Sequence, residues 1–171
     1  MRLYRVDLDY IKFLHENYDS KVQYNATMSD KYNSNRPYAG VVLEIGDMSY
    51  FVPLESPREN HKMTKESDYV LKIEGGRYGL IGLNNMIPIE KEQLITFDIN
   101  NDKNCYILKA QFIFLSRNCK SICSTALKLY KRRTERPTKF DREVCCDFIK
   151  LEQGLRDYKM TLSIRQVAAT E

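Results

Sequence analysis

The stretch that decides the fold covers residues 36–65 and reads RPYAGVVLEIGDMSYFVPLESPRENHKMTK. An apolar and β-branched run, the turn pair Gly46-Asp47 and a second apolar run follow one another within it. Two such runs joined by a two-residue turn predict a β-hairpin. Pro57 has no backbone N–H, so the second strand is expected to end just before it.

Polar groups gather where this strand ends. Ser56 and Arg58 flank the proline, and His61, Lys62 and Lys65 follow within one short loop. One interpretation is an ordinary polar loop that leaves the sheet, because loops are where polar residues usually lie. The other is a site for a phosphodiester, built from a hydroxyl, cations and an imidazole, without an acidic pair that would hold a metal.

Strands dominate the first hundred residues. Beyond the hairpin, strand-like patterns fall at 2–7, 69–73, 78–83 and 94–99, with a short helix and a long polar loop over 19–35 after the first. Strands first, helices last and hairpin-length connections indicate an α+β fold with an antiparallel sheet. We expect one domain over residues 1–164 and a disordered tail over 165–171.

Two helical segments are predicted in the C-terminal part. Between residues 102 and 133 apolar side chains recur at spacings of four and three, which predicts a long amphipathic helix, with a break near Asn118 as an open alternative. Such a stripe packs on the chain's own sheet or, less often, against a second chain as a coiled coil. Thr138 and Asp141 resemble a capping pair for one further helix, whose apolar face continues over 140–155.

The net charge of +4 conceals an asymmetry. Residues 101–171 carry 15 basic and 8 acidic side chains, whereas the first hundred residues are slightly acidic. The cations are densest over 128–142. Such a cluster indicates phosphate contacts, although cations also suit a solvated helix end because of the helix dipole.

Several protein classes are excluded by what the sequence lacks. No apolar run approaches the length of a membrane helix and no signal peptide precedes the first strand, so we expect a soluble cytoplasmic protein. The five cysteines have no zinc-site spacing and are expected to be reduced, and His15 and His61 alone cannot form a metal site. No Gly-rich phosphate loop or nucleophile elbow is present, so no cofactor is expected.

The remaining chemistry is metal-free cleavage of RNA, in which the ribose 2′-hydroxyl attacks the adjacent phosphate and cations stabilise the crowded phosphorus. The polar loop supports RNA as the ligand, because Tyr24 and Tyr32 lie near Arg36 and single-stranded bases stack on aromatic rings. An RNA-binding domain without catalysis would use the same residue types. A DNA-maintenance factor is a weaker alternative, since no recognition-helix signature is present.

The sequence resembles a known family in several ordered pieces. Its longest matching pieces are 36–45 and 52–58, and shorter ones lie at Tyr4, 10–14, 19–22, His61, 78–81 and 85–89. In order and spacing they resemble the ToxN and AbiQ endoribonucleases, toxins of type III toxin–antitoxin systems, and the closely related CptN. The resemblance covers most of residues 1–160.

The resemblance implies a strongly twisted antiparallel sheet partly wrapped by helices, related to the Kid and MazF toxins. It implies metal-independent, sequence-preferring RNA cleavage, often at adenine-rich sites, that leaves a 2′,3′-cyclic phosphate. It also implies an RNA antitoxin of pseudoknotted repeats, which the toxin cuts from a precursor and with which it closes into a ring. Cellular or phage mRNA would be the substrate, and abortive infection one outcome; neither membrane nor DNA is an expected partner.

The family's Thr-Ser-Pro-Lys motif falls on residues 55–58, where the serine is kept and Arg58 replaces the lysine. Glu55 replaces the threonine and is left outside the candidate set, because a carboxylate would repel the scissile phosphate unless it pairs with Arg58 or acts as a base. A tyrosine and a lysine of the family, four residues apart, fall on Tyr32 and Arg36.

Two sets of residues are therefore predicted, a catalytic set that follows from the resemblance and a set of backbone contacts that follows from the positions of the basic residues. The predicted catalytic residues are Ser56, Arg58, Tyr32, Arg36 and His61. Ser56 would bind the scissile phosphate, the two arginines would stabilise its charge, Tyr32 would position RNA or assist proton transfer, and His61 would be the neutral titrating group, with the general base left open. The predicted backbone contacts are Lys62, Lys65, Lys21, Lys131, Arg132, Arg133 and Arg136.

Overall fold

A computed structural model gives the structure of residues 1–168, with side chains described as far as residue 164. The strands are β1 (Arg2–Val6), β2 (Tyr38–Ile45), β3 (Met48–Glu55), β4 (Val70–Lys72), β5 (Leu80–Gly82), β6 (Ile87–Pro88) and β7 (Leu94–Ile95). The helices are α1 (Leu8–Asn17), α2 (Asp30–Ser34), α3 (Cys105–Glu135), α4 (Lys139–Val144) and α5 (Phe148–Ala168). None of the helices in this described part is both long and apolar enough to cross a membrane.

The hairpin predicted from residues 36–65 is formed by β2 and β3. Ile45 pairs with Met48, so Gly46 and Asp47 make the two-residue turn, and Gly46 has a φ of +59° that a residue without a Cβ adopts readily. The second strand stops at Glu55, two residues before Pro57, as expected from the missing N–H of proline. The hairpin is therefore confirmed, with its first strand longer than the apolar run suggested.

The antiparallel sheet has the strand order β4-β5-β3-β2-β1-β7, and β6 pairs with β3 beside it. This confirms the predicted α+β class with an antiparallel sheet. Three outer strands are shorter than predicted because 3₁₀ turns interrupt them. The last one ends at Ile95 instead of 99, and the chain then enters a 3₁₀ turn over Ile99–Asn101 in which a carboxylate oxygen of Asp98 accepts the Asn100 N–H.

Helix α3 is one unbroken helix of 31 residues. The alternative of a break near Asn118 is wrong, because the helix continues through this residue, whose side chain donates to the Phe114 carbonyl one turn earlier. Its buried apolar face, which includes Leu115, Ile122 and Leu129, belongs to the same core as the sheet. The stripe thus packs on the chain's own sheet, as the more common alternative predicted.

The single helix predicted over 140–155 is wrong, because the chain forms α4 and α5 instead. Thr138 and Asp141 do form the predicted capping box at the start of α4. The helix then stops at Cys145, which has extended backbone angles, and the Cys146 N–H donates to the Asn84 carbonyl at 2.8 Å. Both thiols are thereby drawn into the core, which the apolar periodicity alone did not reveal.

Helix α5 continues through Ala168 and so enters the segment 165–171 for which disorder was predicted, while residues 169–171 lie outside the described residues. Gly154 allows α5 to approach α1 closely, because a Cβ there would lie 2.7 Å from Leu14 Cδ2. The Tyr18 hydroxyl donates to Asp157 at 2.5 Å across the same contact. These contacts fix the N-terminal helix against the C-terminal one.

Candidate active site

A cleft of about 340 Å³ lies beside the end of β3. Its walls come from α2 and the residues after it, from the end of β3 and from the loop ahead of α3. Four of the five predicted catalytic residues line it, namely Tyr32, Arg36, Ser56 and Arg58. The structure therefore brings together a hydroxyl, a phenol and two guanidinium groups that are up to 26 residues apart in sequence.

The polar loop over 19–35 is held in place by Asn33, which is buried. Its amide donates to the Asn25 carbonyl at 3.0 Å and its oxygen accepts the Asn25 N–H at 2.9 Å. Ser29 caps α2 by accepting the Tyr32 N–H. These bonds order the loop and present the Tyr32 ring, which is 42% exposed, at the mouth of the cleft.

Backbone contacts bring Arg36 and Ser56 to the same wall. The Leu54 N–H donates to the Pro37 carbonyl at 2.9 Å, which extends the β2–β3 pairing to the edge of the cleft. From the other side, the Gln111 amide on α3 donates to the carbonyls of Tyr78 (2.9 Å) and Glu55 (3.4 Å). The strand end that carries Ser56 is thus held from both sides.

His61 does not line the cleft. It is 3% exposed and lies behind Glu55, with its Nε2 3.5 Å from the Oε2 of that carboxylate. The other oxygen, Oε1, accepts from the Gln23 side chain at 3.4 Å. The role predicted for His61, a titrating group facing the RNA, does not match this position, because His61 is buried and is not among the residues that line the cleft, whereas its neighbour Glu55 is.

A second cleft of about 360 Å³ continues from the first past Ser56 and along the start of α3. The two share Ser56 and the walls around Lys31 and Lys103, so we call them together the central groove. At its far end the Arg5 guanidinium lies 4.7 Å from the centre of the Phe97 ring. Aromatic and cationic residues therefore line both clefts, with Ser56 in the part that the two clefts share.

The predicted backbone contacts lie outside the central groove. Lys62, Lys65, Lys131 and Arg136 are exposed, and none of them has a carboxylate partner among the residues that the structure describes. The other three are engaged in ion pairs: Lys21 with Asp19, Arg132 with Asp68 and Asp141, and Arg133 with Asp147. Lys31 and Lys103 do line the groove, and sequence reasoning missed both.

Arg132 belongs to a structural network around the buried carboxylate of Asp141. Burial raises the pKa of Asp141, but hydrogen bonds from the Thr138 hydroxyl and N–H, from Tyr69 and from Arg132 outweigh it, so the pKa lies well below its usual range. Burial and the bond to Asp141 raise the pKa of Tyr69. The Arg132 side chain therefore fixes α4 against the rest of the fold.

No group of three or more His, Cys, Asp or Glu side chains suited to a metal ion occurs within the described residues. The groups that the central groove offers are cations, hydroxyls, amides and two carboxylates, Glu55 and Asp102. This set suits a polyanion with bases that stack and hydrogen-bond.

A family model described as the toxin ToxN of type III toxin–antitoxin systems matches residues 2–156. The chain belongs to the ToxN family. Among curated relatives, the endoribonuclease ToxN of Bacillus thuringiensis subsp. kurstaki is 32% identical, over 92% of this chain and 84% of its own. The endoribonuclease ToxN of Pectobacterium atrosepticum is 31% identical, over 92% and 94%. The endoribonuclease AbiQ of Lactococcus lactis subsp. lactis is 28% identical, over 89% and 86%.

Several solved structures have a similar fold. A structure of AbiQ, a lactococcal anti-phage endoribonuclease of the type III class, has a TM-score of 0.77 at 27% identity, over 93% of this chain and 98% of that one. A structure from work on selective toxin inhibition by a non-coding RNA pseudoknot has a TM-score of 0.76 at 30% identity, over 92% and 96%. A third, from a bacterial antiviral system regulated by a processed non-coding RNA, also scores 0.76, at 28% identity, over 92% and 98%.

The family assignment confirms the resemblance to ToxN and AbiQ, whereas the relations to CptN and to the Kid and MazF fold stay predictions. The ToxN-family match spans every element that forms the central groove. Lys31 could have been predicted, since it adjoins Tyr32 in the polar loop. Lys103 and the far wall at Phe97 had no such signal, because they reach the groove only through the packing of α3 on the sheet.

Proposed function

We propose that this protein is the toxin of a type III toxin–antitoxin pair and a metal-independent endoribonuclease that cuts RNA in the central groove. The observation that carries the proposal is the convergence of Tyr32, Arg36, Ser56 and Arg58 on one cleft at the end of β3. The curated relatives support the reaction class, because they are named endoribonucleases and match this chain over most of its length and of their own. We place the activity in the bacterial cytoplasm, where mRNA substrates occur.

The chemistry proposed is attack by the ribose 2′-hydroxyl on the adjacent phosphorus, which leaves a 2′,3′-cyclic phosphate and a 5′-hydroxyl. Two permanent cations, Arg36 and Arg58, stabilise the charge on the pentacoordinate phosphate, because a guanidinium group can form bidentate hydrogen bonds to two phosphate oxygens. Ser56 donates its hydroxyl to a non-bridging oxygen. Tyr32 stacks on a neighbouring base or hydrogen-bonds to the phosphate.

The proposed partner is an RNA antitoxin that folds as a pseudoknot, is cut from a repeat precursor by the toxin and closes with it into a ring. Two similar structures support this, since one comes from toxin inhibition by a non-coding RNA pseudoknot and another from regulation by a processed non-coding RNA. A single-stranded end of such an RNA would occupy the central groove. The exposed Lys62 and Lys65, which follow Arg58 in the sequence, and Lys131 and Arg136 at the end of α3 are the proposed contacts to the folded part.

The test is incubation of the purified protein with an adenine-rich RNA in the presence of EDTA. Cleavage to 2′,3′-cyclic phosphate ends, abolished by a 2′-deoxy substitution at the scissile nucleotide, supports the proposal. Binding without cleavage would favour the RNA-binding regulatory domain instead. Addition of the cognate repeat RNA, encoded next to the gene, is expected to inhibit cleavage of other RNAs.

A further inference from the structure

Few groups of the central groove can accept a proton at neutral pH. The cations Lys31, Lys103, Arg36 and Arg58 carry no free lone pair in their charged forms, and a hydroxyl oxygen such as that of Tyr32 or Ser56 is a poorer proton acceptor than a carboxylate. The acidic residues among those that line the groove are Glu55 and Asp102. A general base for a ribose hydroxyl must come from one of these two if a side chain of the groove supplies it.

Asp102 is already occupied on both oxygens. Its Oδ2 accepts a hydrogen bond from Arg5 at 2.6 Å, and its Oδ1 accepts the N–H of Asn104, the residue before α3, at 2.8 Å. Its side chain is only 9% exposed. A carboxylate whose two oxygens are both engaged in this way is not free to turn towards a ribose hydroxyl.

We propose that Glu55 is the general base of the reaction and that His61 is the positioning residue that orients its carboxylate; the inference rests on the proposed function. Glu55 adjoins Ser56 and lines the same cleft as Arg36 and Arg58. Its side chain is 25% exposed, so an RNA hydroxyl can reach it. The two arginines offset the repulsion between this carboxylate and the scissile phosphate.

The surroundings of Glu55 hold it in one place. His61 Nε2 lies 3.5 Å from Oε2 and Gln23 Nε2 lies 3.4 Å from Oε1, so each carboxylate oxygen has a neighbour that limits rotation of the side chain. The His61 backbone packs closely on Gly76, where a Cβ would lie 2.6 Å from the His61 carbonyl oxygen, and the His61 side chain is buried. Its Nδ1 is buried and has no hydrogen-bond partner among the described residues. The imidazole thus supports Glu55 without facing the RNA.

The step conserves atoms and charge. The 2′-O–H bond breaks and its proton moves to a Glu55 carboxylate oxygen, while the 2′-oxygen forms a bond to phosphorus. The bond between phosphorus and the 5′-oxygen then breaks, and this oxygen takes a proton from water. Glu55 returns its proton to solvent, so the products are the cyclic phosphate and a 5′-hydroxyl with no net consumption of water.

The first test is the single-turnover cleavage rate of Glu55→Gln in EDTA, measured with the RNA affinity. The amide keeps the size of the side chain but cannot accept the proton, so the rate is expected to fall by about 10²–10⁴-fold while the Kd stays the same or decreases. Glu59→Gln is the matched control, since Glu59 is an exposed acid outside the groove, and its rate should equal that of wild type. A Glu55→Gln variant as fast as wild type, or one whose loss lies only in Kd, overturns the proposal.

Chemical rescue provides a second test, because an added carboxylate would not restore activity if Glu55 had only a structural role. In Glu55→Ala, added formate should restore cleavage in proportion to its concentration, whereas chloride at equal ionic strength should not. The absence of rescue in a folded Glu55→Ala variant that still binds RNA overturns the assignment. A wild-type protein that does not cleave at all would instead remove the proposed function, so the two failures are distinguishable.

His61 is tested by rescue with a conservative substitution. Removing the donor in His61→Phe should lower the single-turnover rate by about tenfold to a hundredfold without changing the Kd, because the base is misplaced but present. His61→Gln retains a donor and should recover part of that rate. Equal rates in both variants and wild type would exclude the positioning role.

Discussion

Gly79 lies directly against the backbone of Glu55. A Cβ on Gly79 would stand 1.9 Å from the Glu55 carbonyl oxygen, and the φ of Gly79 is +101°, where residues with a side chain are strained. This close approach brings the segment before β5 onto the end of β3, just ahead of Ser56. The geometry of the site therefore depends on a glycine that does not itself line the central groove.

Replacing Gly79 is expected to destabilise the fold and disturb the site together. Gly79→Ala should lower the free energy of unfolding by about 1–3 kcal/mol from backbone strain, with a further loss from the clash. Gly75→Ala is the control, because Gly75 also has a positive φ (+63°) but nothing within 4 Å of its Cβ position. Urea denaturation and the RNA cleavage rate measure the two effects; equal losses in both variants would contradict the role of the contact.

Ser56→Ala is expected to abolish toxicity and RNA cleavage while the melting temperature stays within a few degrees of wild type. Ser56 is exposed in the cleft, so its loss leaves no buried group unpaired. The loss of one donor to the developing phosphate charge predicts a rate decrease of about 10²–10³-fold. Ser124→Ala, an exposed serine on α3, is the control. A fully toxic Ser56→Ala strain would remove the serine from the mechanism.

The exposed lysines after the site should determine part of the salt dependence of RNA binding. The double variant Lys62→Ala/Lys65→Ala is expected to reduce the slope of log K against log salt by about 1.4, if each lysine neutralises one phosphate of a single strand. Lys120→Ala, an exposed lysine on α3, should leave the slope unchanged. Binding that responds to salt as in wild type would show that these lysines do not contact RNA.

The lowered pKa of Asp141 predicts how the stability of the fold depends on pH. Its pKa in the folded protein lies below the value of about 3.9 expected when unfolded, so its contribution to stability is complete above that value and is lost as the pH falls below it. Asp141→Asn should be less stable at pH 7, by about 1–3 kcal/mol from lost hydrogen bonds, and should lose less stability between pH 7 and pH 3 than wild type. Urea midpoints at both pH values measure this.

The control for Asp141 is Glu143→Gln on the same helix. Its carboxylate is exposed and lies 3.9 Å from Lys139, an arrangement that contributes little. Its pH dependence should match that of wild type. If Asp141→Asn also behaved like wild type, the network around Asp141 would not be the source of the acid sensitivity.

Sequence patterns predicted a structural element correctly where the residues that stabilise the element lie close together in the chain. The hairpin followed from two apolar runs around Gly46-Asp47, and the start of α4 followed from Thr138 and Asp141, because turns and caps are made by residues close in sequence. The break at Cys145 did not follow, because it depends on a hydrogen bond to Asn84, about sixty residues earlier. Such a contact leaves no periodic signal in either segment.

The sequence by itself determined the α+β class, the hairpin that carries Ser56 and Arg58, and, through its resemblance to known toxins, the family. Only the tertiary structure decided which side chains share the groove. It placed Glu55 at the cleft and His61 behind it, added Lys31 and Lys103 to the walls, and engaged Arg132 and Arg133 in ion pairs. The physical reason is that strand ends, loops and α3 meet through packing between distant segments, and a one-dimensional pattern does not contain the direction in which a side chain points.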